Sequence, residues 1–270
     1  MKYLLKKAMF DRIKTEVFMA ISKYKKEVEL LTSWAREAGE IIKNNKMEVS
    51  DKGTNTDLVT NLDYAIEKFL ISKFNEHFPE LSAISEEFNS DAKLQENCFV
   101  IDPIDGTVNF ANGLPGWAIQ MAIVRDGEIV VSVIFMPPTN EMFVAAKGEG
   151  AYLNGEQIHV NYNPVNKCLF TLDAGSRLNK GKMIEELKEF TRHHRSIGSA
   201  AASFSYVAKG ALGATCLLKY SLWDFMPGLL IAKEAGAKVF DNTNKFVLVA
   251  NNDETLNVFK QIILNNWKDK

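Results

Sequence analysis

The chain has 270 residues, enough for one large or two modest domains around a hydrophobic core. Its formal net charge is −2, with 46% hydrophobic and 24% charged residues. That balance excludes a disordered or fibrous class and argues against a dedicated nucleic-acid or membrane-surface binder. Cys98, Cys168 and Cys216 are isolated from one another, which offers neither a disulfide framework nor a zinc spacing and fits a reducing, cytoplasmic compartment.

The N-terminal stretch MKYLLKKAMFDRIKTEVFMAI is charged throughout and lacks the apolar core of a signal peptide. Its apolar residues Leu5, Met9, Ile13, Val17 and Ile21 predict an amphipathic helix that packs on the body of the protein or on a partner subunit. Helical patterns cover 5–44 and, after the polar segment NKMEVSDKGTNTD, 60–76. A short apolar piece, LSAI, then leads into Ser85-Glu86-Glu87. From Cys98 the texture changes to short β-branched and aromatic runs: CFVID, WAIQMAIVRDG, EIVVSVIFMPP and EMFVAAKG. GEGAYLNGEQIHV predicts a hairpin turning at Asn154-Gly155. Beyond Pro164, strands CLFTLDAG, ATCLL, AKVFD and KFVLVAN alternate with helices around 180–192, 199–209, 224–235 and 254–266, the pattern of a sheet with helices on its faces. The change of texture near 161–166 divides the chain into an N-terminal α+β domain, 1–163, and a C-terminal α/β domain, 164–270.

The chemistry concentrates in FVIDPIDGTVNF at 99–110. Asp102 ends an apolar run, and Pro103, which has no N–H to give a ladder, predicts that the strand stops there. Ile104 then exposes a carbonyl in a turn, and Asp105-Gly106 adds a second acid. Two carboxylates and a carbonyl make half of an oxygen-only site of the kind Mg²⁺ prefers. On these residues alone a plain turn and a cation site are both open. Other acids have equally ordinary accounts: Glu86-Glu87 as a solvated pair, Asp57 and Asp63 around LVTNL with Asp63 favoured by a helix dipole, and Asp224 as an N-cap with Pro227 in the first turn.

Taken together the acids resemble something more specific. VIDPIDGTVNF at 100–110 is similar to the first signature of the inositol monophosphatase family, the Mg²⁺-dependent, lithium-sensitive phosphatases. WDFMPGLLIAKEAG at 223–236 resembles the second. DLVTNLD at 57–63, SEE at 85–87, KGEGAYLNG at 147–155 and RSIGSAA at 195–201 follow in family order. The resemblance implies a layered αβαβα sandwich, usually a homodimer, that hydrolyses a phosphate monoester of a small metabolite without nucleic acid or membrane as partner. It assigns Glu86, Asp102 and the Ile104 carbonyl to a first Mg²⁺ and Asp102, Asp105 and Asp224 to a second, with a third, looser ion in some members sharing Glu86. It makes Thr107 and Asp63 the pair that orients and activates water. Glu87 stands behind the ligands, and Lys52 lies on a loop near the third metal. Gly106, Thr107, Gly198, Ser199 and Ala200 match substrate-contacting positions, and the N–H groups opening the 199–209 helix suit an anion.

Three positions depart from the family pattern. Leu217 stands where inositol enzymes commonly carry a glutamate for substrate hydroxyls, Asn112 replaces a histidine, and Glu-Ala-Gly-Gly ends as Glu-Ala-Gly-Ala. None removes a metal ligand. Leu217, with Lys219 nearby, bears on the leaving group, so fructose 1,6-bisphosphate, histidinol phosphate and 3′-phosphoadenosine 5′-phosphate stay open beside inositol monophosphate, as does a non-catalytic binding relative. Histidines 77, 159, 193 and 194 show no metal spacing. Exchanging Asp105 for Asn is expected to stop turnover and leave the fold intact.

Overall fold

The computed structural model describes residues 21–52, 58–174, 180–218, 220–242 and 245–267. The helix expected from Leu5 to Val17 lies outside them, as do Asp57 and Lys219. The first described helix, α1 (Lys25–Asn44), presents Val28, Leu31, Trp34, Ala35 and Ala38 along one buried stripe. A small antiparallel pair, β1 (Val49–Asp51) and β2 (Leu58–Thr60), occupies the segment whose polarity predicted no structure. Then comes α2 (Asn61–His77), opened by a capping box. The Thr60 hydroxyl accepts from the Asp63 N–H, and the Asp63 carboxylate accepts from the Thr60 N–H.

The large sheet has seven strands in the order β3 (Ser82–Ser85), β4 (Cys98–Asp105), β5 (Ala118–Arg125), β6 (Glu128–Met136), β7 (Glu141–Ala146), β8 (Ala151–Leu153) and β9 (Glu156–Ile158). Only β3–β4 is parallel. The β8–β9 turn carries Asn154 and Gly155 with φ of 50° and 96°, the geometry of a two-residue turn that Asn-Gly favours. Strands β4 to β7 read as almost unbroken apolar runs because both faces are covered. On one face Phe99, Ile101, Ile119, Met121, Val131 and Val133 pack with α1 and α2. Phe74 stacks on Phe99 with ring centroids 4.1 Å apart. On the other face Val100, Ala118, Ile134, Phe143 and Ala145 meet α5 (Ala200–Ala208) and α6 (Leu222–Glu234).

The small sheet runs β11 (His193–Arg195), β10 (Leu169–Ala174), β12 (Ala214–Leu218), β14 (Phe246–Ala250) and β13 (Lys238–Asn242). Alternation divides β14 cleanly: Val247 and Val249 join α5 and α6, while Phe246, Leu248 and Ala250 face α4 (Lys180–Lys188) and α7 (Asp253–Asn266). The result is an αβαβα sandwich whose middle layer, α5 and α6, serves both sheets. A Cβ on Gly228 of α6 would stand 2.6 Å from the Phe204 Cβ of α5, so the two helices cross where only glycine fits. Among the described residues no helix is long and apolar enough to cross a membrane.

Two expectations near the acids need correction. Strand β4 does not stop at Pro103 but reaches Asp105, because its register against β5 slips: Asp102 pairs with Gln120 and Asp105 with Ala118. Three steps on β4 match two on β5, so Pro103 is absorbed in a bulge where no ladder N–H is required. And α6 begins at Leu222 with Ser221 as N-cap, which moves Asp224 to the third helical position and Pro227 into the helix interior.

Candidate metal-binding active site

The bulge decides where the two aspartates of β4 point. Strict alternation would send residues 102 and 105 to opposite faces of the sheet; one extra residue between them restores a common side. Asp102 is only 1% exposed. Its Oδ2 accepts from Gln120 Nε2 at 3.4 Å, and its buried Oδ1 has no hydrogen-bond partner. Burial, then the charges of Glu86, Asp105 and Asp224, push its carboxyl well above the usual range. A partnerless buried carboxylate oxygen among three more acids is costly unless a cation meets it.

Asp105 reaches to the middle layer. Its Oδ2 accepts from the Ser199 hydroxyl and from the Ala201 N–H at 2.8 Å, and its Oδ1 accepts from the Ala200 N–H at 3.2 Å. Burial nevertheless pushes Asp105 up to about 6 against the lowering effect of these bonds. The anion at the N-terminus of α5 is therefore the protein's own carboxylate, where the sequence alone left those N–H groups for substrate. Gly106 follows at φ 89°, and a Cβ there would lie 2.8 Å from the Gly116 carbonyl oxygen. This left-handed residue launches α3 (Thr107–Ala111). Asn109, on α3, donates to the carbonyls of Gly116 at 2.6 Å and Ile197 at 2.7 Å, tying the turn before Gly198 and Ser199 to the end of β4.

Thr107 Oγ1 lies 2.9 Å from the Ile104 carbonyl oxygen and 3.3 Å from Asp63 Oδ1. The hydroxyl has one proton for two acceptors, and its lone pairs remain to accept from water. Asp63 is fully buried, and burial pushes it up to about 6 although Thr60 N–H and Oγ1 donate to its Oδ2 at 2.8 and 2.5 Å. One helical turn on, Glu67 is also fully buried and accepts from the backbone N–H groups of Glu87 at 2.8 Å and Phe88 at 2.7 Å. It thereby fixes the loop that carries Glu86.

Lys52 spans Glu86 and Glu87 with Nζ at 2.9 and 2.8 Å from their carboxylates. Burial works to lower the ammonium's pKa, but Glu87 and Glu86 outweigh it and raise it. Burial raises both glutamates despite Lys52. Asp224 closes the ring: its Oδ2 accepts from the Ser221 N–H at 2.7 Å, and burial pushes it up to about 7, with Asp105 and Glu86 adding to the rise.

Glu86, Asp102, Asp105 and Asp224 thus repel one another through space from three separate elements: the loop after β3, strand β4 and helix α6. Among the described residues no group of three or more acids, histidines or cysteines is already drawn together at ligating distance. Two partners account for that spread: Lys52 holds Glu86, and α5 holds Asp105. The donor set still suits a hard cation, being all oxygen, with Asp102 Oδ1 unpartnered and the Ile104 carbonyl retaining a second lone pair. Gly198, at φ 75°, and Ser199 stand at the edge of this cluster. Two contributors escaped the sequence reading, Glu67 and Asn109. The only signal for Glu67 was its place four residues after Asp63, on the same helical face; Asn109 carried none.

The layered sandwich is shared with solved structures. Thermotoga maritima IMPase superposes with a TM-score of 0.80 at 30% identity, over 90% of this chain and 100% of that one. An IMPase/NADP phosphatase complexed with Mg²⁺ and phosphate shares the fold with a TM-score of 0.82 at 22% identity, over 90% of this chain and 96% of that one. The profile of the inositol monophosphatase family matches residues 24–268, and the chain belongs to that family. Among its relatives, the Thermotoga maritima fructose-1,6-bisphosphatase/inositol-1-monophosphatase is 36% identical over 193 residues, 70% of this chain and 73% of its own. Nus factor SuhB of Escherichia coli is 34% identical over 235 residues, 80% of this chain and 86% of its own.

Proposed function

We propose that the chain is a Mg²⁺-dependent phosphatase hydrolysing the phosphate monoester of a small metabolite, inositol monophosphate or a related sugar phosphate. The observation that carries this reading is the buried, partnerless Oδ1 of Asp102 amid Glu86, Asp105 and Asp224. Glu86, Asp102, the Ile104 carbonyl, Asp105 and Asp224 are the groups that would hold two Mg²⁺ ions. When bound, these would set positive charge against the doubly negative phosphate and make water more acidic at neutral pH.

The chain's own residues supply the rest. Thr107, its proton directed at Ile104 or Asp63, presents lone pairs that orient a water. Asp63, pushed to about 6, is ionised near neutral pH and close enough to the operating pH to accept a proton well. Gly106 makes the left-handed turn that delivers Thr107 to the site, where a Cβ would run into the Gly116 carbonyl oxygen. Glu87 and Lys52 balance charge at the rim and restrain Glu86 until a cation takes their place. A formal net charge of −2 favours a small substrate over nucleic acid.

The test is phosphate release, with Mg²⁺ and with a chelator, from inositol 1-phosphate, fructose 1,6-bisphosphate, histidinol phosphate and 3′-phosphoadenosine 5′-phosphate. Mg²⁺-dependent release from any of them supports the reading and names the leaving group. A folded, Mg²⁺-loaded protein inert towards all four would refute it and favour a binding role, for which the relatives named Nus factor SuhB give a precedent in name.

A further inference from the structure

Strands β10, β11 and β12 run parallel, and β11 and β12 lead into the turns that open α5 and α6. A crevice outside the carboxyl ends of parallel strands is where α/β sheets receive ligands. β10 is the middle strand of the three, and Asp173 is its penultimate residue. Its orientation follows from alternation: Phe170 and Leu172 enter the outer core, so Thr171 and Asp173 face the middle layer. Thr171 meets its register partner Thr215 in a buried hydroxyl pair at 2.7 Å. Two residues closer to the crevice, Asp173 stands beside Leu217, which offers no acceptor.

There the Asp173 carboxylate is half-buried; among the described residues one hydroxyl, that of Ser203, donates to it, and the Lys180 charge acts on it as well. Ser203 Oγ, on α5, lies 3.1 Å from Asp173 Oδ2 and 2.8 Å from the Ser199 carbonyl oxygen, so one proton serves both. Ser203 is one helical turn beyond Ser199, whose hydroxyl donates to Asp105. The two carboxylates flank the same helix start, and Asp173 adds to the rise that burial imposes on Asp105. No step of the proposed hydrolysis uses Asp173.

We propose that Asp173 determines specificity at this site, its carboxylate accepting a hydroxyl from the organic part of the substrate and so selecting phosphate monoesters of polyhydroxylated compounds. The inference rests on the phosphatase reading above and extends it to the leaving group. A hydroxyl given to a carboxylate is a short, charge-assisted bond, which a leaving group without donors cannot make.

The experiment compares Mg²⁺-loaded wild type, Asp173→Asn and Ser203→Ala. The probes are inositol 1-phosphate and fructose 1,6-bisphosphate, which are polyols, and phenyl phosphate, which carries no hydroxyl donor. Asp173→Asn should raise the ratio of polyol KM to phenyl phosphate KM by about tenfold or more, the effect of losing a charged acceptor. Ser203→Ala keeps the carboxylate and drops its internal donor, so it should leave that ratio within about twofold, below the effect of one net hydrogen bond. An equal loss on all probes in Asp173→Asn would reduce the residue to a structural part. So would a Ser203→Ala variant that reproduces the selective loss. An unchanged ratio in Asp173→Asn overturns the inference, as does wild-type release from phenyl phosphate alone, which leaves the phosphatase reading standing. No wild-type release from any of the three overturns the inference, and the phosphatase reading falls with it when histidinol phosphate and 3′-phosphoadenosine 5′-phosphate are spared too.

Discussion

Glu67→Gln isolates the part played by a buried acid that touches no substrate. Its carboxylate accepts two backbone N–H groups, from Glu87 and Phe88, at 2.8 and 2.7 Å. An amide of the same shape has one oxygen, so its NH₂ must face one of those donors. A lost hydrogen bond to a charged acceptor costs about 1.5–3 kcal/mol. The surviving bond becomes neutral and weakens by about half. Together these give about 2–4 kcal/mol, or about 5–15 °C of melting temperature for a chain of this size. Urea and thermal melts with a chelator present would measure the loss. A Mg²⁺ titration should show weaker binding, since the loop holding Glu86 is released. A variant within about 0.5 kcal/mol of wild type, the ordinary scatter of surface substitutions, would refute the argument that Glu67 anchors that loop.

Further expectations concern the same cluster and the layer beneath it. Asp102→Asn removes one of several mutually repelling acids, so the metal-free melting temperature should hold or rise while stabilisation by Mg²⁺ and turnover are lost. Asp105→Asn should instead lower metal-free stability by about 1–3 kcal/mol in a urea titration, because the carboxylate receives donors from Ser199, Ala200 and Ala201. The exchange expected to leave the fold intact is thus expected to carry a stability cost as well. Asp63 and Asp105 are pushed to about 6 and Asp224 to about 7, whereas unfolded carboxyls titrate near 4. The native state therefore binds more protons between about pH 4 and 7, and metal-free stability should fall as pH rises through that window. Melts with a chelator from pH 5 to 8 check the sign, and a rise in melting temperature towards pH 8 would contradict it. Gly228→Ala should cost about 1–3 kcal/mol by forcing α5 and α6 apart, measurable by urea denaturation.

Much of this architecture is legible in the chain because each element obeys a local rule. The capping box of α2, the Asn-Gly turn and the alternation in β14 follow from their own few residues. The acids at 102, 105 and 224 are legible through family resemblance, and so is their common destination. What escapes is non-local. The polar segment around β1 and β2 contains no period to read, and β11 holds two histidines and an arginine that become a strand only by pairing with β10. Asn109 and Glu67 serve backbone groups far away in sequence, and no spacing announces such partners. Even Pro103 misled for a physical reason: missing an N–H ends a regular ladder but is harmless inside a bulge.

The slip between β4 and β5 has a consequence for how this region tolerates change. Between Asp102 and Asp105 the chain must supply two residues against one on the neighbouring strand, whatever their side chains. Deleting either Pro103 or Ile104 would restore regular pairing: Asp105, two residues after Asp102, would keep its side of the sheet, but the bend and added twist that the extra residue gives β4 would be lost. Straightened in this way, the strand end would no longer aim Thr107 at Asp63 or Asp105 at the start of α5, although all four acids remain in the chain. Across this short span, length is therefore the constrained quantity, and a library varying the identity of residue 103 at constant length should yield far more folded, metal-responsive proteins than one that shortens it by a residue.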